Sequence, residues 1–345
     1  MAIPRKRQPR QADVARLAGV SQATVSAVIN GRGREAGIPQ QTVSRVLEAV
    51  RQLGYAANPA ARSLKGKGNR LLGVHSFESM FPLDQLDFYH EFLVGIEQQA
   101  VADGYDLVLF ASTEDPDGRR RIFRDGANRL ALADGSVLLG VEHGSADLAR
   151  LASEGYPFVQ IGRRNIPGAE LAWIGADYET ATAAIVARLA GLGHQRIGYV
   201  TATKRLEVHV DKESGYRTGC AQAGLPELMY VVDPAQVDAA WIDAALASGL
   251  TAILAENEAL ARRIAELIKA RGGAVPADMS LVVLVSMTGS DVGEWSALSI
   301  PRNEMGRAAV KQLIAILNDD TYQELPQVLL PCGLPSDATI GRPRN

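Results

Sequence analysis

From Leu71 onward, short apolar runs alternate with amphipathic stretches, and this alternation restricts the chain to few folds. The runs lie near Leu71–Ser76, Asp106–Ala111, Ser136–Val141, Phe158–Ile161, Ile197–Thr201, Met229–Val232, Ala252–Leu254 and Leu281–Val285. Stretches such as Asp177–Ala190 and Glu258–Ala270 carry apolar residues at helical spacing between them. A strand covered on both faces reads as a nearly unbroken apolar run, and successive parallel strands need a crossover that is usually a helix. The pattern therefore predicts parallel sheets with right-handed crossovers. About ten strands over about 260 residues suit two similar lobes better than one sheet. The first lobe is expected to begin at Leu71 and the second near Ile174. With 345 residues and 47% hydrophobic content, a large core and an appendage are both within reach. Aromatics make up only 6%, so the core must be mainly aliphatic.

The first 70 residues read differently. They hold thirteen basic side chains against three acidic ones, so the rest of the chain carries −13 against a whole-chain charge of −3. A compact basic module on an acidic body is the electrostatic footprint of a polyanion binder. Residues 1–10 form a basic, proline-punctuated arm expected to be disordered. Residues 11–56 show three helix-like segments. Asp13 is placed to cap the first, which Gly19 ends. Ser21 is placed to cap the second, with Val25, Val28 and Ile29 inward and Asn30-Gly31 closing it. Thr42 is taken to open the third, which Gly54 stops. Helix-turn-helix motifs need a small residue where the helices cross, glycine at the turn and a branched apolar residue beyond it. Ala15, Gly19 and Val25 meet those needs at the right spacing.

The surrounding residues strengthen this reading. Asp13-Val-Ala-Arg-Leu-Ala-Gly-Val-Ser21, Ala23-Thr-Val-Ser26, Asn30-Gly31, Leu53-Gly-Tyr55, Asn58-Pro59 and Ala61-Arg62-Ser63-Leu64 resemble the signature of the lactose-repressor (LacI/GalR) family. The likeness runs on, more loosely, through Gly95-Ile-Glu97, Gly193-His194, Asn257 and Val275-Pro276. It implies an all-α helix-turn-helix DNA-binding domain (11–56), a hinge helix and linker (57–70), and an α/β two-lobed, periplasmic-binding-protein-like sensor for effector binding and dimerisation (71–345). It further implies a transcriptional regulator, most simply a repressor, that binds a near-palindromic operator on double-stranded DNA as a homodimer. Ser21, Gln22, Ala23 and Ala27 would approach base edges or the groove, and Thr24, Ser26 and Asn30 would meet phosphates. Asn58 would cap the hinge helix, Arg62 would lie on it, and Leu64 would wedge into the minor groove. The family usually has proline where Ala57 stands.

In the sensor, the resemblance places an effector between the lobes. Phe88 and Tyr89 stand where an aromatic often stacks on it, Asn257 matches a polar contact, and Lys212 occupies the place of the usual arginine. Gly162 and Arg163 stand where many sugar binders carry aspartate, and Val283-Leu-Val-Ser286 replaces a segment that supplies another. With Arg163, Lys212 and Asn257 presenting donors, the sequence points to a sugar or sugar acid, and of these to an anionic ligand, a sugar acid or a phosphorylated sugar, that satisfies both cations at once rather than a simple sugar held by the usual aspartates. Glu256 or Glu258 could satisfy them internally instead.

No nucleophile elbow, phosphate-binding loop or His-Glu-x-x-His motif occurs, so no enzyme, cofactor or metal is expected. Cys220 and Cys332 are isolated, which argues against a disulfide framework or a zinc site. No apolar run is long enough to span a membrane, and the basic N-terminus lacks an apolar segment behind it; the expected location is the cytoplasm, on the nucleoid. A binding module for a protein corepressor is the chief rival, and an enzyme fused to a DNA-binding domain comes after it.

Overall fold

The computed structural model describes residues 9–29, 32–55, 68–78, 88–111, 120–140, 144–203, 205–285, 293–319 and 325–344. The chain divides into two compact units, Met1–Arg70 and Leu71–Asn345.

The first unit holds α1 (Gln11–Ala18), α2 (Gln22–Ile29) and α3 (Gln40–Leu53). Helix α1 starts before Asp13, so Asp13 is not its cap. From the third helical position its carboxylate accepts the backbone N–H of Arg10 at 2.8 Å and sits where the helix dipole favours negative charge. Gly19 takes the left-handed conformation (φ 65°), which lets the Val20 N–H turn back onto the Ala15 carbonyl at 3.0 Å. Ser21 does cap α2: its Oγ accepts the Thr24 N–H at 3.1 Å. Helix α3 opens at Gln40, directly after Pro39, and not at Thr42. Val14, Ala15, Ala18, Val25, Val28, Val46 and Ala49 form a small aliphatic core.

The second unit begins with β1 (Leu71–Ser76), α4 (His90–Ala102), β2 (Asp106–Phe110), a short hairpin of β3 (Phe123–Arg124) and β4 (Ala127–Asn128), β5 (Gly135–Leu139), α5 (Ser145–Ser153), β6 (Phe158–Ile161) and β7 (Trp173–Asp177). It continues with α6 (Tyr178–Gly191), β8 (Ile197–Thr201), α7 (Glu207–Ala223), β9 (Leu228–Val231), α8 (Ala239–Ala247), β10 (Ala252–Ala255), α9 (Glu258–Ala270), β11 (Ser280–Val283) and β12 (Ser296–Ala297). Last come α10 (Arg302–Asn318) and β13 (Gln327–Pro331).

Two parallel sheets result, one in the order β13-β7-β6-β5-β1-β2 and one in the order β12-β11-β10-β8-β9. Each is buried between aliphatic layers, one layer anchored by Ile96, Val137 and Val310 and another by Leu260, Ile264 and Leu281. Each fully buried Leu, Ile or Val contributes about 1.5–3 kcal/mol from apolar transfer.

The second lobe begins after Asp177, three residues beyond the expected Ile174. That residue lies in β7 and pairs with Ile161 and Val328 inside the first sheet. Apolar periodicity marks a buried strand without saying which sheet takes it. The chain crosses to the second lobe after Asp177, returns at α10, and crosses again after β13. In the last crossing the Leu281 N–H donates to Thr339 O at 2.9 Å, and the Gly341 N–H to Ser280 Oγ at 2.9 Å. Helices α4 and α10 meet at two glycines: a Cβ on Gly95 would lie 2.1 Å from the Asn303 carbonyl, and one on Gly306 would lie 2.4 Å from that of Phe92.

Candidate functional site

In each sheet the strand order reverses once, at β1 between β2 and β5, and at β8 between β9 and β10. Crossover loops leave such a point in opposite directions and open a crevice at the carboxyl ends of the strands. Residues just past those ends converge on one cavity of about 590 Å³. From the first lobe come Glu78 after β1, Gly140 after β5, Gly162 and Arg163 after β6, and Tyr178 after β7. From the second come Glu256 and Asn257 after β10 and Val285 after β11, together with Asp211 and Lys212 on α7.

All five residues read from the sequence as effector contacts, Phe88, Tyr89, Arg163, Lys212 and Asn257, line this cavity. Phe88 is 40% exposed, and the Arg302 guanidinium lies 4.9 Å from its ring centre. Tyr89 is buried, edge-on to Phe88 at 4.9 Å between centroids, and its hydroxyl donates to Glu78. It is therefore tied into the wall rather than free as a stacking face. Asn257 caps α9, its Oδ1 accepting the Leu260 N–H at 3.0 Å, so its amide nitrogen is the group left for a ligand.

The two cations have partners within the protein. Arg163 Nε donates to Asp211 Oδ2 at 3.0 Å and a second guanidinium nitrogen reaches Oδ1; this hydrogen bonding raises the arginine's affinity for its proton. Lys212 is 2% exposed, with Nζ 3.4 Å from the Glu256 carbonyl and 5.2 Å from the Tyr178 ring centre. Burial lowers its pKa to about 8, although the Glu256 charge pulls the other way. The Glu256 carboxylate accepts from Tyr199 Oη at 3.0 Å, Thr201 Oγ1 at 2.5 Å and the Ala202 N–H at 3.2 Å. Glu258 pairs instead with Arg262 on the helix surface. The cavity thus holds three carboxylates, Glu78, Asp211 and Glu256, beside two cations.

Sequence reasoning passed over Glu78, Asp211 and Tyr178. Nothing in their local pattern marks them, because each owes its place to a strand end or helix face fixed by the tertiary fold.

In the first unit, Ser21, Gln22 and Ala23 are exposed at the start of α2, while Thr24, Ser26 and Ala27 are half-buried. Val25 and Val28 turn the opposite face into the core. Arg16, Arg32, Arg34, Arg45 and Arg51 are exposed. Asn30, Asn58, Arg62 and Leu64 lie outside the described residues, as does nearly all of the hinge. Among the described residues, no cluster of three or more His, Cys, Asp or Glu could hold a metal ion, and no helix is long and apolar enough to cross a membrane.

Residues 12–58 match the model of bacterial regulatory proteins of the lacI family, and residues 186–335 match that of a periplasmic binding protein-like domain. The chain is 27% identical over 322 residues to catabolite control protein A of Priestia megaterium, covering 90% of this chain and 92% of the relative. Its fold is similar to the lac repressor dimer bound to operator and the anti-inducer ONPF (TM-score 0.70, 22% identity, 96% of this chain and 98% of that one). It is similar also to a complex of the transcriptional regulator CelR with cellobiose (TM-score 0.60, 23% identity, 94% and 98%).

Proposed function

The chain belongs to the LacI family of bacterial regulatory proteins, and we propose that it acts as a homodimeric repressor whose hold on DNA is set by a neutral carbohydrate in the cleft of its sensor. It is a DNA-binding transcription regulator and not an enzyme. A single helix-turn-helix covers only a few base pairs, so a near-palindromic operator bound by two copies supplies the missing specificity. Gln22 can pair with adenine, and Ala23 and Ala27 suit thymine methyl groups. Leu64 is the candidate minor-groove wedge, with Asn58 and Arg62 beside it on the hinge.

The observation that carries the effector reading is the convergence of strand ends from both lobes on one cavity. A ligand touching both lobes favours the closed arrangement by its differential affinity, and the hinge is the natural recipient of that change. The balance of charge favours a neutral ligand over a sugar acid. Arg163 is already engaged by Asp211, and the carboxylates of Glu78 and Glu256 on the cavity wall disfavour a further negative charge. A relative of this fold has been solved with cellobiose, a neutral sugar.

The test is calorimetry of the full chain against cellobiose, sucrose, gluconate and glucose 6-phosphate, followed by titration of an operator selected from random duplexes with and without the binder. Binding of a neutral sugar that changes operator affinity is expected. Binding of only the anionic sugars would overturn the ligand class. No response to any of the four, in a protein that still answers a signal in cells, would transfer the sensor role to a protein corepressor.

A further inference from the structure

We propose that Lys212 captures its ligand covalently and reversibly, forming an imine with the free carbonyl of an open-chain aldehyde or ketone held in the cleft. This deepens the effector reading and rests on it. Four features of the site point to this chemistry.

First, the amine stands at a cavity wall: Lys212 lines the cleft while its side chain is 98% withdrawn from bulk solvent. Second, no carboxylate grips it directly. Its hydrogen bond runs to the Glu256 backbone carbonyl at 3.4 Å, while the Glu256 carboxylate is taken up by Tyr199, Thr201 and the Ala202 N–H. Third, the groups around it leave a neutral amine tolerable. Tyr178 on α6 is kept protonated by burial, and Cys332, beyond β13, is a thiol whose pKa burial pushes up to about 12. Glu256 after β10 is the negative charge that favours the ammonium, and desolvation outweighs it. Fourth, the residue type matters. The cleft's other cation, Arg163, is a guanidinium, which stays protonated at all working pH values and is no nucleophile, whereas Lys212 carries an amine. A desolvated lysine is the ordinary means of activating an amine toward a carbonyl.

The step balances within the site. The neutral Nζ lone pair attacks the carbonyl carbon and forms the C–N bond. A proton passes from nitrogen to oxygen, giving the carbinolamine, and loss of that oxygen as water leaves the C=N bond. Hydrolysis by water reverses it, so no oxidant or reductant enters. A ligand without a free carbonyl can still occupy the cleft but cannot take this step.

The experiment incubates the full chain at pH 7 with glyceraldehyde, and in parallel with glycerol, under cyanoborohydride. Sites of attachment are then quantified by peptide mass spectrometry. An amine titrating near 8 is neutral a few hundredfold more often at pH 7 than an ordinary lysine, and its lower basicity takes back about half of that on a logarithmic scale. Trapped adduct on Lys212 is therefore expected to exceed that on the exposed Lys269 and Lys311 by about tenfold, with none from glycerol. The excess should vanish in Lys212→Arg, with labelling of the other two unchanged. Labelling of Lys212 no greater than that of Lys269 and Lys311 overturns the proposal. Thermal shift of wild type and Lys212→Arg with cellobiose reads the cleft separately. Stabilisation without adduct removes only the covalent step, whereas neither stabilisation nor adduct removes both.

Discussion

Arg163 of the first lobe and Asp211 of the second are joined across the rim of the cleft by a two-pronged ion pair, Nε to Oδ2 at 3.0 Å. Beside it the Asn165 backbone N–H donates to Glu207 Oε1 at 3.0 Å, so one loop of the first lobe clasps the first turns of α7. The arginine side chain is 33% exposed and the aspartate 17%, so solvent screens part of the attraction. The coupling between the two residues in a double-mutant cycle of Arg163→Gln and Asp211→Asn is expected to be about 1 kcal/mol. Chemical unfolding of the full chain, followed through the sensor transition, measures it. Each single variant should also open the lobes more often, visible as faster proteolysis around residue 163. Additive effects of the two substitutions would mean that the pair does not hold the lobes together.

On α2, the helix proposed to read DNA, stability and recognition are carried by neighbouring residues and should separate. Ser21→Ala removes the cap on the Thr24 N–H and should cost the first unit about 1 kcal/mol. Gln22 is exposed and has no capping role, so Gln22→Ala should leave the melting temperature unchanged while reducing the preference for the selected operator over random DNA. Competition gel shifts at several salt concentrations separate these outcomes, because non-specific binding to the basic unit falls steeply with salt. Equal loss on both DNAs for Gln22→Ala would reduce Gln22 to a backbone contact.

These contrasts mirror what the chain makes legible before its structure is known. The helix-turn-helix could be read because its determinants are local: Gly19 must turn left-handed, Ser21 must cap, and Val25 must point inward. The parallel sheets could be read because strands buried on both faces leave unbroken apolar runs. The lobe boundary could be read to within three residues, but not the sheet that Ile174 joins, since Ile174 is apolar whichever sheet receives it. Within the cleft, Phe88, Tyr89, Arg163, Lys212 and Asn257 were found by resemblance and Glu256 was named beside the cations, but Asp211 was not. That Arg163 meets Asp211, 48 positions away, depends on where β6 ends and α7 begins in space.

Acid should weaken the sensor through His75. The ring is fully buried, Nδ1 lies 3.2 Å from the Phe110 carbonyl, and Nε2 has no hydrogen-bond partner. Burial lowers its pKa to about 4, against 6.5 when unfolded. Above pH 6.5 the ring is neutral in both states and the full stability is present. As pH falls from 6.5 to 4 the unfolded chain takes up the proton first, so stability is lost, by roughly 3 kcal/mol at most from this residue. Urea midpoints from pH 7 to 4.5 should fall less steeply in His75→Phe than in the wild type. Parallel curves would exonerate the histidine.

Lys212 acts in the same sense at alkaline pH, in a higher window. Its folded pKa of about 8 lies below the unfolded 10.5, so between these values the unfolded chain holds the extra proton. Stability contributed at this position therefore rises with pH across that window. The difference in unfolding free energy between wild type and Lys212→Met should grow in the wild type's favour from pH 7.5 to 9.5. Taking a difference cancels the tyrosines, whose buried hydroxyls titrate higher. A difference that stays flat would place the amine in a more polar setting than its 2% exposure implies.

The close approach of α4 and α10 connects packing to the cleft. A methyl added at Gly95 would meet the Asn303 carbonyl at 2.1 Å, a distance no Cβ contact tolerates, and the obstacle is backbone rather than a side chain that could swing away. Gly306 faces the reciprocal constraint from Phe92, so neither helix can shift toward the other's glycine to make room. Alanine is favoured over glycine in a helix by about 1 kcal/mol, and overpacking of this kind costs about 1–3 kcal/mol or more, so Gly95→Ala should destabilise on balance. The displacement should also reach the ligand site, since Phe92 on α4 and Met305 on α10 both line the cavity. Thermal unfolding should show a lowered midpoint, and calorimetry with whichever sugar binds the wild type should show weakened binding. Val101→Ala, on an exposed position of the same helix, should change neither, because its side chain is 71% exposed and not among the cavity's lining residues. A Gly95→Ala protein as stable as the wild type would mean that the two helices separate at little cost and that their contact does not brace the cleft.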